Sequence, residues 1–387
     1  MIIKATAKKL IRTFSHVGHL FGVQSRSFGP PKGVSFSQEL AQDAKSKVSV
    51  NQVSELGKII RSLPNTLEAE IHPQFYRDLQ RDAPSCYTVE LERGRTVGSQ
   101  GIILSTTDYI VGDISRVIGE NQYAFRELYQ LRLPPISRIN GIVGVVAGNG
   151  GQGYFHWLYD IFPKLFLLGQ SKLYWDRLVV GHYEAKFVQE CIGYYGIPIE
   201  KILPATQRTH YEADILLASS LPGNTGNPPS WVIDFLRDVL LRKATKSTKN
   251  SSRKIYISRK DATYRFLLNE AEIEQYLQLH GFQTVILSTL TLSQQTEIFR
   301  NADVIVAPHG AGLSNIAFCN PGAILIELFS SRYINVCYWS ISNLMSMQYW
   351  YIVGEEEIAA NHDEPDFRQS FLVNLEKFSA TLKRALD

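Results

Sequence analysis

A chain of 387 residues, 44% hydrophobic and 20% charged, has the length and apolar content for two packed domains at about 100–200 residues each. Its formal net charge of +3 is too small to mark a nucleic-acid partner but is compatible with a local anion site. No stretch supplies the ~20 apolar residues of a membrane span. Cys86, Cys191, Cys319 and Cys337 lack paired metal-ligand spacing and read as buried and reduced, which favours a cytoplasmic protein.

The opening "MIIKATAKKLIRTFSHVGHLFG" carries Lys4, Lys8, Lys9 and Arg12, and the first acid in the chain is Glu39. Ile3, Leu10, Phe14, Val17 and Phe21 recur at helical spacing, and no small-residue cleavage site follows. A basic amphipathic helix resting on anionic lipid, a loose basic tail and an organelle-targeting peptide are the three readings. Residues 25–50, rich in Ser, Gly and Lys, predict a linker or partly ordered arm.

From about Leu56 the pattern becomes globular. "GIVGVVAG" (141–148) predicts a buried strand and "GQGYFHWLYDIFPKLFLLGQ" a helix. "RLVVGH", "EAKFVQECIGYYGI" and "ADILLASS" continue as strand, helix and strand, the alternation of a parallel sheet. "SWVIDFLRDVLLRKA" predicts a helix capped by Ser230, and the polar stretch 245–253 a domain boundary. Strands "KIYISR", "FQTVIL", "DVIVAP" and "AILIELF" then alternate with helices "NEAEIEQYLQLHG" and "LSQQTEIFRNA". In the first of these, Asn269 and Glu272 form a predicted capping box and Gly281 a stop. The last segment, from Glu364, predicts a terminal helix. The expected divisions are a basic helix and linker (1–50), a Rossmann-like domain (51–245), a second Rossmann-like domain (246–350) and a helical segment (351–387).

Open α/β sheets bind ligands beyond the carboxyl ends of their strands. There "VIVAPHGAGLSNIAF" (304–318) places His309, Gly310, Ala311, Gly312, Ser314 and Asn315. The glycines remove Cβ atoms that block close approach, a helix N-terminus favours an anion, and His309, Ser314 and Asn315 can add hydrogen bonds to a phosphate. A tight turn that merely needs glycine is the competing reading. The loop lacks the lysine of a P-loop, and Asn315 stands where a dinucleotide fingerprint needs its third glycine. "YISRKDATYRFLLNE" (256–270) adds Arg259 past a strand end and Arg265 six residues on, both suited to paired hydrogen bonds with phosphate, or else surface arginines of a loop. Glu327 closes an apolar strand; buried, such a carboxylate needs a partner, either a sugar hydroxyl or a backbone amide. In "YFHWLYDIFPKL" (154–165), His156 and Asp160 are four apart and share one helix face, as an acid–base pair or as a local hydrogen bond.

Taken in order, these blocks resemble the family 61 glycosyltransferases. Phe155, His156, Trp157, Leu158, Asp160 and Pro163 match the family's F-H-W-L-x-D-x-x-P pattern. Ser258, Arg259, Ala262, Arg265, Asn269 and Glu270 match the second pattern. Pro308 through Asn315, with Phe318, Pro321 and Gly322, match the third. The resemblance, strongest to the bacterial type, implies a GT-B architecture, with two Rossmann-like domains facing across a cleft. It implies an inverting enzyme, a hexosyl-, pentosyl- or N-acetylhexosaminyl-transferase. The N-terminal domain would take the acceptor and the C-terminal domain a nucleotide-sugar donor, expected to be UDP-linked, with no other cofactor. No D-x-D pair occurs, so metal independence is expected, with Arg259, Arg265, His309 and helix amides meeting the leaving-group charge. Asp160 is the first choice of base and His156 the second, while Glu327 and Asn315 would touch nucleotide, phosphate or sugar.

The expected partners are the donor, a glycan or lipid-linked glycan acceptor and, through the basic opening, the face of an inner membrane. A non-catalytic nucleotide- or glycan-binding relative in a polysaccharide assembly complex is the alternative. A Rossmann oxidoreductase is disfavoured by Asn315, and a serine hydrolase by the missing G-x-S-x-G elbow.

Overall fold

The structure, a computed structural model, describes residues 29–117, 121–130, 132–242, 253–356 and 365–387. The basic opening lies outside the described residues, as does most of the polar stretch 245–253. The chain divides into two compact units, one of residues 1–56 and 84–225, the other of residues 57–83 and 226–387. Both are α/β.

In the first unit four parallel strands form one side of a larger mixed sheet. They are β1 (Ser137–Val146), β2 (Arg177–Gly181), β3 (Ile202–Ala205) and β4 (His210–Ser219), in the order β4-β1-β2-β3. Val143, Val145, Val179 and Leu216 pack there with Val89, Leu91 and Ile103 in one apolar core. α1 (Lys164–Gly169) and α2 (Lys186–Tyr195) connect the strands; α2 stops at Gly196, whose φ of 91° suits only a residue without Cβ.

Most of the remainder of this sheet is antiparallel and was not expected. Cys86–Glu92 and Arg95–Val97 both pair antiparallel with β4. The segment read as a linker is also structured. Gly33–Ser35 lies parallel to Tyr109–Val111, and Val48–Ser54 pairs antiparallel with Cys86–Glu92. Leu40 and Val48 are buried in the same core, so a few apolar side chains order a stretch whose average composition is polar.

The second unit holds a five-stranded, all-parallel sheet: β5 (Lys254–Ile257), β6 (Gln283–Val285), β7 (Val304–Pro308), β8 (Ile324–Phe329) and β9 (Gln348–Val353). Their order is β6-β5-β7-β8-β9. Tyr256, Val306, Ile326 and Leu328 form the core with Ile273 and Leu277 of α4 (Glu270–Leu279) and with Phe378 and Leu382. Around the sheet run α3 (Ser230–Leu241), α5 (Leu292–Asn301), α6 (Cys337–Leu344) and α7 (Leu375–Leu386).

The unit also recruits residues 57–83. Phe75 is fully buried against Trp339 and Tyr351, with ring centroids 5.3 and 4.7 Å away. α3 belongs to this unit as well, so the division falls before it rather than in the polar stretch after it. Arg237 of α3 donates to the carbonyls of Ala317 and Cys319 at 2.7 and 2.8 Å, tying the helix to the loop after β7.

Three expected helix details differ. Ser230 is the first helical residue and not the cap, a place taken by Pro229. Asn269 precedes α4, but its side chain makes no capping bond and instead exchanges hydrogen bonds with the backbone of Val373 at 2.8 and 3.1 Å. The terminal helix is confined to Leu375–Leu386, where Asn374 caps it by accepting from the Lys377 amide. Before it, Asp366–Arg368 forms a single 3₁₀ turn and Phe371–Leu372 a short strand.

Candidate functional site

In the second unit the strand order reverses between β5 and β7, the switch point at which parallel α/β sheets leave a crevice beyond their carboxyl ends. The residues that follow those two strands are Ser258–Arg259 and His309–Gly310, so the topology brings the two sequence-predicted loops together.

The reason for bare backbone in the second loop is visible. A Cβ on Gly310 would lie 1.8 Å from Nη1 of Arg259, so this glycine makes room for a guanidinium. A Cβ on Gly312 would lie 2.7 Å from the Leu287 side chain, so this one serves packing. Ala311–Phe318 is a 3₁₀ helix rather than the expected α-helix start, and Leu313 to Phe318 are buried within it.

Arg259 is anchored by donating from Nη2 to the Tyr264 carbonyl at 3.0 Å and from Nε to the Arg265 carbonyl at 3.3 Å. Its amide donates to Glu270, which also accepts from Tyr256. Arg265 is 6% exposed, its Nε has no hydrogen-bond partner, and its guanidinium lies 5.0 Å over the Tyr333 ring. Its φ of 56° is left-handed, a conformation that costs a residue with a Cβ about 1–3 kcal/mol and persists where surrounding structure enforces it. Burial and the neighbouring Arg265 charge both lower the pKa of Arg259. Among the described residues, no carboxylate lies within ion-pair distance of either arginine.

His309 is buried among the rings of Phe329, Tyr333 and Tyr338, and its Nδ1 lies 2.5 Å from Oε1 of Glu327. The other Glu327 oxygen accepts from the Tyr349 hydroxyl at 2.5 Å. Burial pushes the Glu327 carboxyl up to about 8. Burial, followed by the Arg265 and Arg259 charges, holds His309 well below its usual range. A protonated Glu327 donates to Nδ1 of a neutral imidazole, and that imidazole carries its hydrogen on Nε2.

Glu327 is therefore a partner of His309 and not a group open to a sugar hydroxyl, because protein atoms already engage both oxygens. Asn315 likewise faces inward: it is fully buried, and its Nδ2 donates to Gln295 and to the Gly312 carbonyl. Ser314 is fully buried as well.

In the first unit, Tyr154–His156 turns as an α-helix and Trp157–Ile161 as a π-turn, closed by the Phe162 amide donating to the Trp157 carbonyl at 2.8 Å. Pro163 follows, and its missing N–H interrupts the single helix read from the sequence. Such turns occur frequently at functional sites. His156 and Asp160 share a face as expected, with Nδ1 2.8 Å from Oδ2. Their side chains are 30% and 7% exposed. Thr225 donates to the same Asp160 oxygen at 3.2 Å. Trp157 is fully buried in the core. The preceding glycine loop is a close-approach turn, since a Cβ on Gly148 would meet Ile161 at 2.4 Å.

Sequence reasoning missed Lys164, which donates to the Ala147 carbonyl at 3.0 Å at the end of β1. Burial and then the Arg116 charge lower it to about 8, against the pull of Asp160. Its position four residues after Asp160 was the available signal. Tyr349 was missed too; it stands in "QYWYIV", an aromatic and β-branched run that reads as a strand. Among the described residues, no cluster of three His, Cys, Asp or Glu side chains is placed to hold a metal ion, and no helix is long and apolar enough to cross a membrane.

The model of the family described as Glycosyltransferase 61 matches residues 154–326, the interval from Tyr154 to the strand that carries Glu327. An EGF domain-specific O-linked N-acetylglucosamine transferase of Drosophila melanogaster is 32% identical over 107 residues, 27% of this chain and 20% of that protein. A Protein O-linked-mannose beta-1,4-N-acetylglucosaminyltransferase 2 of Takifugu rubripes is 30% identical over 128 residues, 30% of this chain and 21% of that one. The chain thus spans about a fifth of the length of these curated relatives, and both are animal proteins, against the bacterial leaning of the resemblance. The family that the three sequence blocks resemble is the one whose model matches: residues 154–326 of this chain are similar to glycosyltransferase family 61.

Proposed function

We propose that the protein transfers a sugar from a nucleotide-sugar donor to a glycan acceptor, inverting the anomeric carbon without a metal ion, in a GT-B-type division of labour. The second unit holds the donor and the first activates the acceptor. The observation that carries this reading is the pair of guanidiniums, Arg259 and Arg265, with no carboxylate within ion-pair distance among the described residues, set beside His309 at the switch point of the parallel sheet. Two cations and an imidazole N–H, fixed in advance by carbonyls and aromatic rings, suit a diphosphate whose charge grows as the sugar leaves.

In the reaction, the acceptor oxygen forms a bond to the anomeric carbon from the face opposite the diphosphate. The bond from that carbon to the phosphate oxygen breaks, and its electron pair departs with the nucleoside diphosphate. Arg259, Arg265 and the Nε2 hydrogen of His309 meet that negative charge. The acceptor proton goes to His156, because it is the more exposed member of its pair; Asp160 is buried and holds the ring by Nδ1. This reverses the order of preference drawn from the sequence. Glu327 and Tyr349 act through His309 by keeping its hydrogen on Nε2.

Titration with UDP, followed by turnover with a panel of nucleotide sugars, tests the reading. The names of the two relatives place an N-acetylglucosaminyl donor first in the panel. Binding of UDP together with transfer to a glycan acceptor is expected. Failure of every nucleotide sugar to bind at millimolar concentration would overturn the proposal, and binding without transfer would leave a non-catalytic binding protein.

A further inference from the structure

The segment between β9 and α7 lies beyond the matched family region, and the sequence reading gave it no role. Its described part runs alongside the arginine loop. The Arg265 amide donates to the Arg368 carbonyl at 2.9 Å, Phe266 donates to the Ser370 hydroxyl at 3.1 Å, and Leu268 donates to the Phe371 carbonyl at 2.9 Å. Phe371 donates back to Phe266 at 3.0 Å, and Asn269 holds the backbone of Val373 at both its donor and its acceptor. This ladder fixes Arg368 next to Arg265 and supplies the acceptor for the one residue of the loop with left-handed backbone.

The side chains converge as well. The guanidinium carbons of Arg259, Arg265 and Arg368 lie 5.9, 5.6 and 5.5 Å from the centroid of the Tyr264 ring. Phe367 packs edge-on to Tyr264 at 6.1 Å and touches Tyr333, the ring that faces both Arg265 and His309. Among the described residues, none of the three guanidiniums has a carboxylate within ion-pair distance, whereas the nearby Arg332 is paired with Glu356 and Asp366. A tyrosine ring attracts a cation over its face but cannot neutralise three. Among the described residues these three like charges have no counter-charge, and gathering them costs free energy that a bound anion offsets. The buried Nε of Arg265, with no partner, is a donor still waiting for its acceptor.

We propose that Arg368 is a third arginine of the anion site, a binding residue for the pyrophosphoryl group of a nucleoside diphosphate, brought in by a segment outside the family region. This deepens the function proposed above and rests on it. Arg368 is the exposed member of the three, so it meets the anion last and from the solvent side. A group with two or three negative charges matches the three guanidiniums, whereas a single phosphoryl group leaves the outermost one unused.

The test is calorimetric titration of the full chain with UDP, UMP and inorganic pyrophosphate, for wild type, Arg368→Gln, Arg368→Lys and Arg259→Ala. Arg368→Gln keeps the backbone carbonyl that holds Arg265, so its effect reports the guanidinium alone. It should weaken UDP and pyrophosphate about tenfold and UMP less than about threefold, with Arg368→Lys recovering part of the loss. If Arg368→Gln binds UDP and pyrophosphate as wild type does while Arg259→Ala does not, the third-arginine inference falls and the donor site stands. Equal weakening of UDP and UMP together with a lowered melting temperature would show a structural role and overturn the inference. If wild type binds neither UDP nor pyrophosphate, the donor reading itself fails and takes the inference with it.

Discussion

Two histidine–carboxylate pairs, one in each unit, have the same chemistry in opposite settings. His156–Asp160 sits on a π-turn with the imidazole 30% exposed and a threonine hydroxyl sharing the carboxylate. His309–Glu327 links two strand ends, 6% and 0% exposed, with a tyrosine on the far oxygen and two arginines nearby. In the proposed reaction the first carboxylate orients the imidazole that receives the acceptor proton. The second is pushed up by burial, and in the proposed reaction its proton holds the imidazole hydrogen on Nε2. The proposed reaction thus uses the same functional groups as a proton acceptor in one place and a hydrogen-bond donor in the other, and the two settings differ in solvent access.

Substitutions can break this comparison at either end. The largest effect is expected from His156→Ala, a fall in kcat of about 10²–10⁴-fold with UDP affinity unchanged, because only the proton acceptor is lost. A parallel loss of UDP affinity, read by calorimetry, would place His156 in the donor site instead. Arg259→Ala should weaken UDP by about 10–100-fold, the worth of a charge-assisted contact. Gly310→Ala should approach that loss through steric displacement, since its Cβ would fall 1.8 Å from the Arg259 guanidinium.

Glu327→Gln sharpens the second pair. Wild-type affinity for UDP should decline as pH rises through about 8, because the ionised carboxylate draws the imidazole hydrogen to Nδ1 and strips it from Nε2. The glutamine amide donates to Nδ1 at every pH, so the variant should keep its affinity and lose the alkaline decline. Titrations at several pH values distinguish the two profiles.

The smallest effect concerns Lys164 of the first unit. Its folded pKa of about 8 lies below the unfolded value of 10.5, so the folded state binds fewer protons between those limits and this residue adds stability as pH rises across them. Relative to wild type, Lys164→Met should be most favourable near neutral pH. That advantage should shrink by up to about 3 kcal/mol toward pH 10.5, as followed by denaturant unfolding. A gap that does not change with pH would contradict the assignment.

The legible parts of this molecule were those where local pattern and tertiary environment agree. The strands at 254–257, 304–308 and 324–329 are short apolar runs bounded by turn residues, and the sheet kept them. The residues of the PHGAG and SRKDATYR loops are adjacent in space because the parallel order puts both at one sheet edge, a consequence of the β–α alternation. What the sequence hid was orientation. Gly310 reads as space for a ligand, but the space is filled by Arg259, fifty-one residues earlier in the chain. Glu327 and Asn315 read as ligand contacts, but both are turned inward to protein partners. Residues 365–374 read as helix by composition, but they form a 3₁₀ turn at Asp366–Arg368 and a short strand at Phe371–Leu372, tied by hydrogen bonds to the arginine loop. Long-range pairings of this kind override local propensity and leave no periodic trace.

The central claim is that the second unit grips a diphosphate at the switch point between β5 and β7. The most direct measurement is a crystal structure of the protein soaked with UDP. Phosphate oxygens are expected within hydrogen-bond distance of Arg259, Arg265 and Nε2 of His309. A diphosphate bound anywhere else, with those three groups left unengaged, would contradict it.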